Sequence, residues 1–220
     1  MIILGLTGSI GMGKSTAGML LRRSGLAVHE ADRVVHRLLG KGGAAVAEVA
    51  AAFPSVASEA GIDRPALARL VFGDAAALAR LEQILHPMVR AAERRFLEAA
   101  ARRGDRLVVL DIPLLFESSA ERRCDATLVV SAPAFLQRLR VMRRPHMDER
   151  RFAAVLKRQM PDAEKRRRAD FVVPTGLDKR KTLYRLRQIV MILEQSPPLP
   201  PRWSPHARNR PRYRNHRPRP

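Results

Sequence analysis

The strongest constraint on what this chain can fold into lies at its N-terminus. Ile2-Ile3-Leu4-Gly5-Leu6-Thr7 is an apolar, strand-like run, and Gly8-Ser9-Ile10-Gly11-Met12-Gly13-Lys14-Ser15 follows it at once. The second string matches the pattern G-x-x-x-x-G-K-[ST] in full, and a helical pattern begins at Lys14. A strand feeding a glycine-rich turn that opens a helix is a phosphate cradle. Gly8, Gly11 and Gly13 let the backbone wrap closely, its N–H groups point inward, and the helix N-terminus adds positive charge. Met12 lies within the cradle. Lys14 is expected to reach the β- and γ-phosphates of a nucleotide, Ser15 to ligate Mg²⁺, and Thr16 to touch the α-phosphate.

The rest of the chain repeats the alternation. Strands are expected over Ile2–Thr7 and residues 26–28, 106–110, 126–130 and 171–173, with helices over Lys14–Arg23, most of 33–103, 134–144, 148–168 and 177–194. Short apolar strands alternating with helices predict an α/β fold: a P-loop NTPase with a five-stranded parallel sheet flanked by helices. Asp63-Arg64-Pro65 reads as a helix start, and Asp74 and His86-Pro87 as punctuation between helices.

Charge separates the body from the tail. The formal net charge is +20; residues 196–220 hold seven Arg, no Asp or Glu and eight prolines, which leaves +13 for residues 1–195. The tail has too few aliphatic residues to bury a core and is expected to be disordered or extended. A basic body suits a nucleotide, and equally a nucleic acid. With 5% aromatic residues and no base-reading motif, nucleic-acid binding is expected only weakly, through the tail. No run approaches the length of a membrane span. The N-terminus lacks a signal-peptide pattern, and Cys124 is the single cysteine, so a cytosolic chain without an intramolecular disulfide is expected.

Two carboxylates invite chemistry. Asp111 ends Leu107-Val108-Val109-Leu110-Asp111, which resembles a Walker B strand whose Asp holds Mg²⁺; a buried strand can also simply end in Asp at a turn. Asp32 follows the second strand, at the sheet edge where such folds bind ligands. It can accept a proton from an attacking hydroxyl or can cap the helix near Arg33, and Glu30 could serve in its place. The absence of an Asn-Lys-x-Asp string argues against a guanine-nucleotide switch.

Further strings carry a resemblance. Residues 8–16, Glu30-Ala31-Asp32, His86-Pro87, Pro113-Leu114-Leu115-Phe116-Glu117, Gln137-x-x-Arg140-x-x-x-Arg144, Gln159 and Ala169-Asp170-Phe171-Val172-Val173 resemble the successive signatures of the dephospho-coenzyme A kinases. The resemblance spans residues 2 to about 194. It departs at Glu30, where the family often has Asp, and at Pro174-Thr175-Gly176, where many members carry Asn in the loop bordering adenine. The tail has no counterpart.

The resemblance implies a monomeric enzyme that moves the γ-phosphoryl of ATP, with Mg²⁺, onto the 3′-hydroxyl of dephospho-coenzyme A. It implies a three-part molecule: a core over 1–32, 104–137 and 169–195, an acceptor-binding helical insertion over about 33–103, and a helical lid over about 138–168. Asp32 becomes the base. His36, His86, Leu115, Phe116 and Glu117 become acceptor-site residues, with His86 also readable as a helix-start residue. Arg140 and Arg144, expected one turn apart on one helix, and then Lys165, become the cations over the transferring phosphoryl group. A kinase for nucleosides or nucleoside monophosphates shares the loop and lid but lacks the Pro113–Glu117 string.

Overall fold

The computed structural model describes residues 1–145, 147–176 and 178–195. The basic tail singled out above lies outside them. The chain divides into two compact units: one of residues 1–29 with the chain from Ala100 onward, and one of Glu30–Ala99.

The first unit is built on β1 (Ile2–Thr7), α1 (Lys14–Arg23) and β2 (Ala27–Glu30), which leads into the second unit. There follow α2 (Ala31–Leu39), α3 (Val46–Ala52), the two-residue strands β3 (Ala57–Ser58) and β4 (Gly61–Ile62), α4 (Arg64–Val71) and α5 (Ala75–Arg103). The chain returns through β5 (Leu107–Asp111), β6 (Ala126–Ser131), α6 (Ala134–Met142), α7 (Glu149–Lys157), α8 (Asp162–Arg168), β7 (Phe171–Pro174) and α9 (Lys179–Gln195).

The expected five-stranded parallel sheet is present, in the order β2-β5-β1-β6-β7. β1 pairs in parallel with β5 (Leu4 opposite Val109) and with β6 (Leu4 opposite Ala126), and β6 with β7. All five residues of β5 and all six of β6 are buried, which is why these strands read as continuous apolar runs rather than alternations. Leu4, Leu6, Leu128 and Val130 pack with Leu20 and Leu21 of α1 and with Leu186, Ile189 and Leu193 of α9. Each fully buried Leu contributes about 2 kcal/mol. Asp125 accepts from the Ile3 N–H at 2.8 Å, and Asp170 accepts from both the N–H and the hydroxyl of Thr127, tying strand ends into register.

The second unit has its own core, made by Leu39, Val49, Phe53, Val56, Ile62, Leu67, Leu81 and Leu85. Asp63 accepts from the Ala66 N–H and caps α4, and Asp74 accepts from the N–H groups of Ala76 and Ala77 to cap α5.

Two expectations need correction. His86-Pro87 does not start a helix, because Pro87 sits inside the 29-residue α5. Leu81 and Leu85 before it and Met88 after it pack into one core, which holds the helix on both sides of a residue that costs about 3 kcal/mol in a helix interior. Most of residues 33–103 is helical as expected, with β3 and β4 forming a small antiparallel ribbon between α3 and α4. Residues 148–168 are two helices, broken before Pro161, which disfavours helical backbone at Met160. Among the described residues no helix is long and apolar enough to cross a membrane.

Candidate active site

The loop from Gly8 to Gly13 joins β1 to α1 at the carboxyl end of β1. Gly11 and Gly13 have φ of 76° and 89°, the left-handed region in which glycine alone is unstrained. A Cβ on Gly8 would stand 2.5 Å from a methyl of Val130, so that position also excludes any side chain. No side chain caps α1, whose first-turn N–H groups have no helical acceptors and form an anion site. Met12 is buried, and its Sδ lies 3.0 Å from the N–H of Ala132.

Lys14 Nζ lies 2.6 Å from Asp111 Oδ1, and the Asp111 side chain is only 5% exposed. The other carboxylate oxygen stands 3.4 Å from where a Cβ of Gly18 would be, so Asp111 rests against α1. Ser15 and Gly18 are three residues apart and share that face of the helix. A hydroxyl and a carboxylate on one helix face, beside a phosphate cradle, are the hard oxygen donors that Mg²⁺ takes together with substrate phosphates.

Side chains from outside the loop fasten it. Gln159 Oε1 accepts from the Ile10 N–H at 3.0 Å, and Gln137 Nε2 donates to the Ile10 carbonyl at 2.8 Å. Arg140 donates to the carbonyls of Gly11 (3.4 Å) and Thr175 (2.8 Å). The Thr175 hydroxyl donates to the Met12 carbonyl at 2.6 Å.

Arg144 does not share a regular helix with Arg140, because α6 ends at Met142. It is exposed, and its N–H closes a turn on Val141. Lys165, the third cation expected over the phosphates, is fully buried in α8, with Nζ 3.0 Å from Glu117 Oε1. The same Glu117 oxygen accepts from the Met160 N–H at 2.8 Å, while Oε2 is buried without a hydrogen-bond partner among the described residues. Leu115 is fully buried and packs on Gly5, and Phe116 is nearly so.

In the second unit, Asp32 lies in the first turn of α2 with its side chain exposed. It does not cap the helix; the N-cap residue is Glu30, which pairs with Arg33 at 3.1 Å. His36 is exposed one turn further on and lines a hollow of about 440 Å³ with Leu39, Ser58, Ile62, Asp63 and Arg64. His86 lies on α5, on the exposed side.

The model of the dephospho-CoA kinase family matches residues 2–178. The chain belongs to the dephospho-CoA kinase family. It is 60% identical over 201 residues to a protein of Paramagnetospirillum magneticum named dephospho-CoA kinase, covering 91% of this chain and 95% of that one. A Rhodospirillum rubrum protein of the same name is 56% identical over 187 residues, 84% of this chain and 89% of the other. Among solved structures, a Thermus thermophilus protein superposes with a TM-score of 0.76 at 38% identity, over 89% of this chain and 98% of that chain. Dephospho-CoA kinase from Campylobacter jejuni gives 0.61 over 88% and 98%, and at 22% identity bears on the fold alone.

Against this family background, Gln137, Gln159 and Thr175 are the residues to which sequence reasoning gave no role in the site. Two were visible as members of family strings. Thr175 was visible only as part of the Pro174–Gly176 loop expected to border adenine, because the partner of its hydroxyl, the Met12 carbonyl, is distant in sequence.

Proposed function

We propose that the chain transfers the γ-phosphoryl group of ATP to the ribose 3′-hydroxyl of dephospho-coenzyme A, giving coenzyme A and ADP. The observation that carries this reading is the family match over residues 2–178, which includes a complete phosphate loop. The loop binds the phosphates through its N–H groups and the α1 N-terminus, and Lys14 neutralises charge at the β–γ bridge. Ser15 and Asp111 would hold Mg²⁺, which when bound supplies further neutralisation of the phosphates.

Asp32 takes the proton of the acceptor hydroxyl as its oxygen forms a bond to the γ-phosphorus and the bond to the β-phosphate oxygen breaks. Arg144, exposed beyond α6, is the cation for the transferring group, while Arg140 both steadies the loop and adds positive charge beside it. Acceptor contacts fall to His36 and His86 in the second unit and to Leu115, Phe116 and Glu117 in the first, where Leu115 and Phe116 are buried. We take the enzyme to act as a monomer.

The test is ADP release with Mg²⁺·ATP and dephospho-coenzyme A, beside adenosine, AMP, CMP and shikimate. Turnover confined to dephospho-coenzyme A, with a product one phosphate heavier, is the expected result. Turnover confined to another acceptor contradicts the reading.

A further inference from the structure

The phosphate loop has two edges, and their hydrogen bonding differs. Phosphate needs the N–H edge. The carbonyl edge is its opposite, since a carbonyl turned inward would set oxygen against oxygen. Three consecutive carbonyls, those of Ile10, Gly11 and Met12, each receive a donor from outside the loop: Gln137 at 2.8 Å, Arg140 at 3.4 Å and Thr175 at 2.6 Å. Gln159 takes the Ile10 N–H at 3.0 Å, so the peptide on either side of Ile10 is held.

The glycines make such fastening necessary. Gly11 and Gly13 follow the Ile10 and Met12 carbonyls, and glycine occupies positive and negative φ with little preference. The 10–11 and 12–13 peptide planes therefore have no strong local reason to keep their carbonyls outward. Thr175 is well placed to impose one. It is 8% exposed, its N–H donates to the Ser131 carbonyl at 2.8 Å, and its own carbonyl accepts from Arg140 at 2.8 Å. Its hydroxyl proton goes to Met12 at 2.6 Å rather than to Ser131 at 3.2 Å.

We infer that Thr175 and Gln137 are positioning residues for the nucleotide: they fix the carbonyl edge of the loop and thereby keep its N–H edge turned to the phosphates, while Gln159 holds the peptide before Ile10. The inference rests on the phosphoryl-transfer reading above, because it requires a nucleotide in the loop. It predicts that the loop's geometry before ATP arrives is set by the β7–α9 turn and by the α6 and α7–α8 segments as much as by the glycines.

The experiment is calorimetric titration of the full chain with Mg²⁺·ADP, with steady-state kinetics alongside. Thr175→Val removes the hydroxyl at constant size, and Thr175→Ser keeps it. Thr175→Val is expected to weaken ADP binding about tenfold and to raise KM for ATP similarly, with KM for dephospho-coenzyme A unchanged. Thr175→Ser is expected to restore binding to within about twofold, an outcome that mere packing would not give. Gln137→Leu is expected to weaken ADP binding about fivefold and supplies the same test if Thr175→Val fails to fold. ADP affinity equal to the parent's in Thr175→Val and Gln137→Leu, or Thr175→Ser as weak as Thr175→Val, overturns the inference. A parent chain that does not bind Mg²⁺·ADP contradicts the phosphoryl-transfer reading itself, and the inference falls with it.

Discussion

The loop of the first unit and the residues of the second that we propose for the acceptor side are built differently. Around the loop, Gln137, Gln159, Arg140 and Thr175 hold the backbone, Asp111 holds Lys14, and Glu117 holds both Lys165 and the Met160 N–H. In the second unit Asp32, His36 and His86 are exposed, on helices whose stability comes from the core behind them. The contrast follows from the ligands. A triphosphate is rigid in its demands, and donors aimed in advance cost no reorganisation when it binds. An acceptor hydroxyl needs a carboxylate that it can reach and that can take up its proton.

Substitutions test this contrast. Lys14→Ala should lower turnover on the order of 10³-fold and weaken ATP binding, measured by ADP release and titration; near-parental turnover would remove Lys14 from the chemistry. Lys165→Met should destabilise the fold by about 3–5 kcal/mol in urea unfolding, because it leaves Glu117 unpaired and largely buried. The double variant Lys165→Met/Glu117→Leu should recover much of that loss. If Lys165→Met is as stable as the parent, the pair does not hold α8. His36→Ala should raise KM for dephospho-coenzyme A about fivefold with KM for ATP unchanged; the reverse pattern would move His36 to the nucleotide side. Deletion of residues 196–220 should change turnover by less than about twofold, and a larger loss would give the basic tail a part in the reaction.

How much of this was legible beforehand depended on whether the signal was local. The phosphate loop could be read because phosphate wrapping demands glycines at fixed spacing next to Lys14 and Ser15. The five-stranded sheet could be read because doubly covered strands are unbroken apolar runs. The β3–β4 ribbon could not, since two-residue strands are too short to alternate. Pro87 misled because proline favours helix starts, and only the shared core of Leu85 and Met88 shows that the helix runs through it. Lys165 resembles Arg166, Arg167 and Arg168 beside it, and its partner in the interior is Glu117, far away in sequence. The outward fastening of the loop was hidden for the same reason: Thr175, Gln137 and Gln159 act on Ile10 and Met12 across the fold.

We propose that the two sets of residues divide the work, one binding the nucleotide and the other performing the acceptor chemistry. The most direct test is Asp32→Asn, with Mg²⁺·ADP affinity and turnover on dephospho-coenzyme A measured on the same preparation. The account predicts affinity within about twofold of the parent and turnover lower by roughly 10²- to 10⁴-fold. Parental turnover in Asp32→Asn would contradict it.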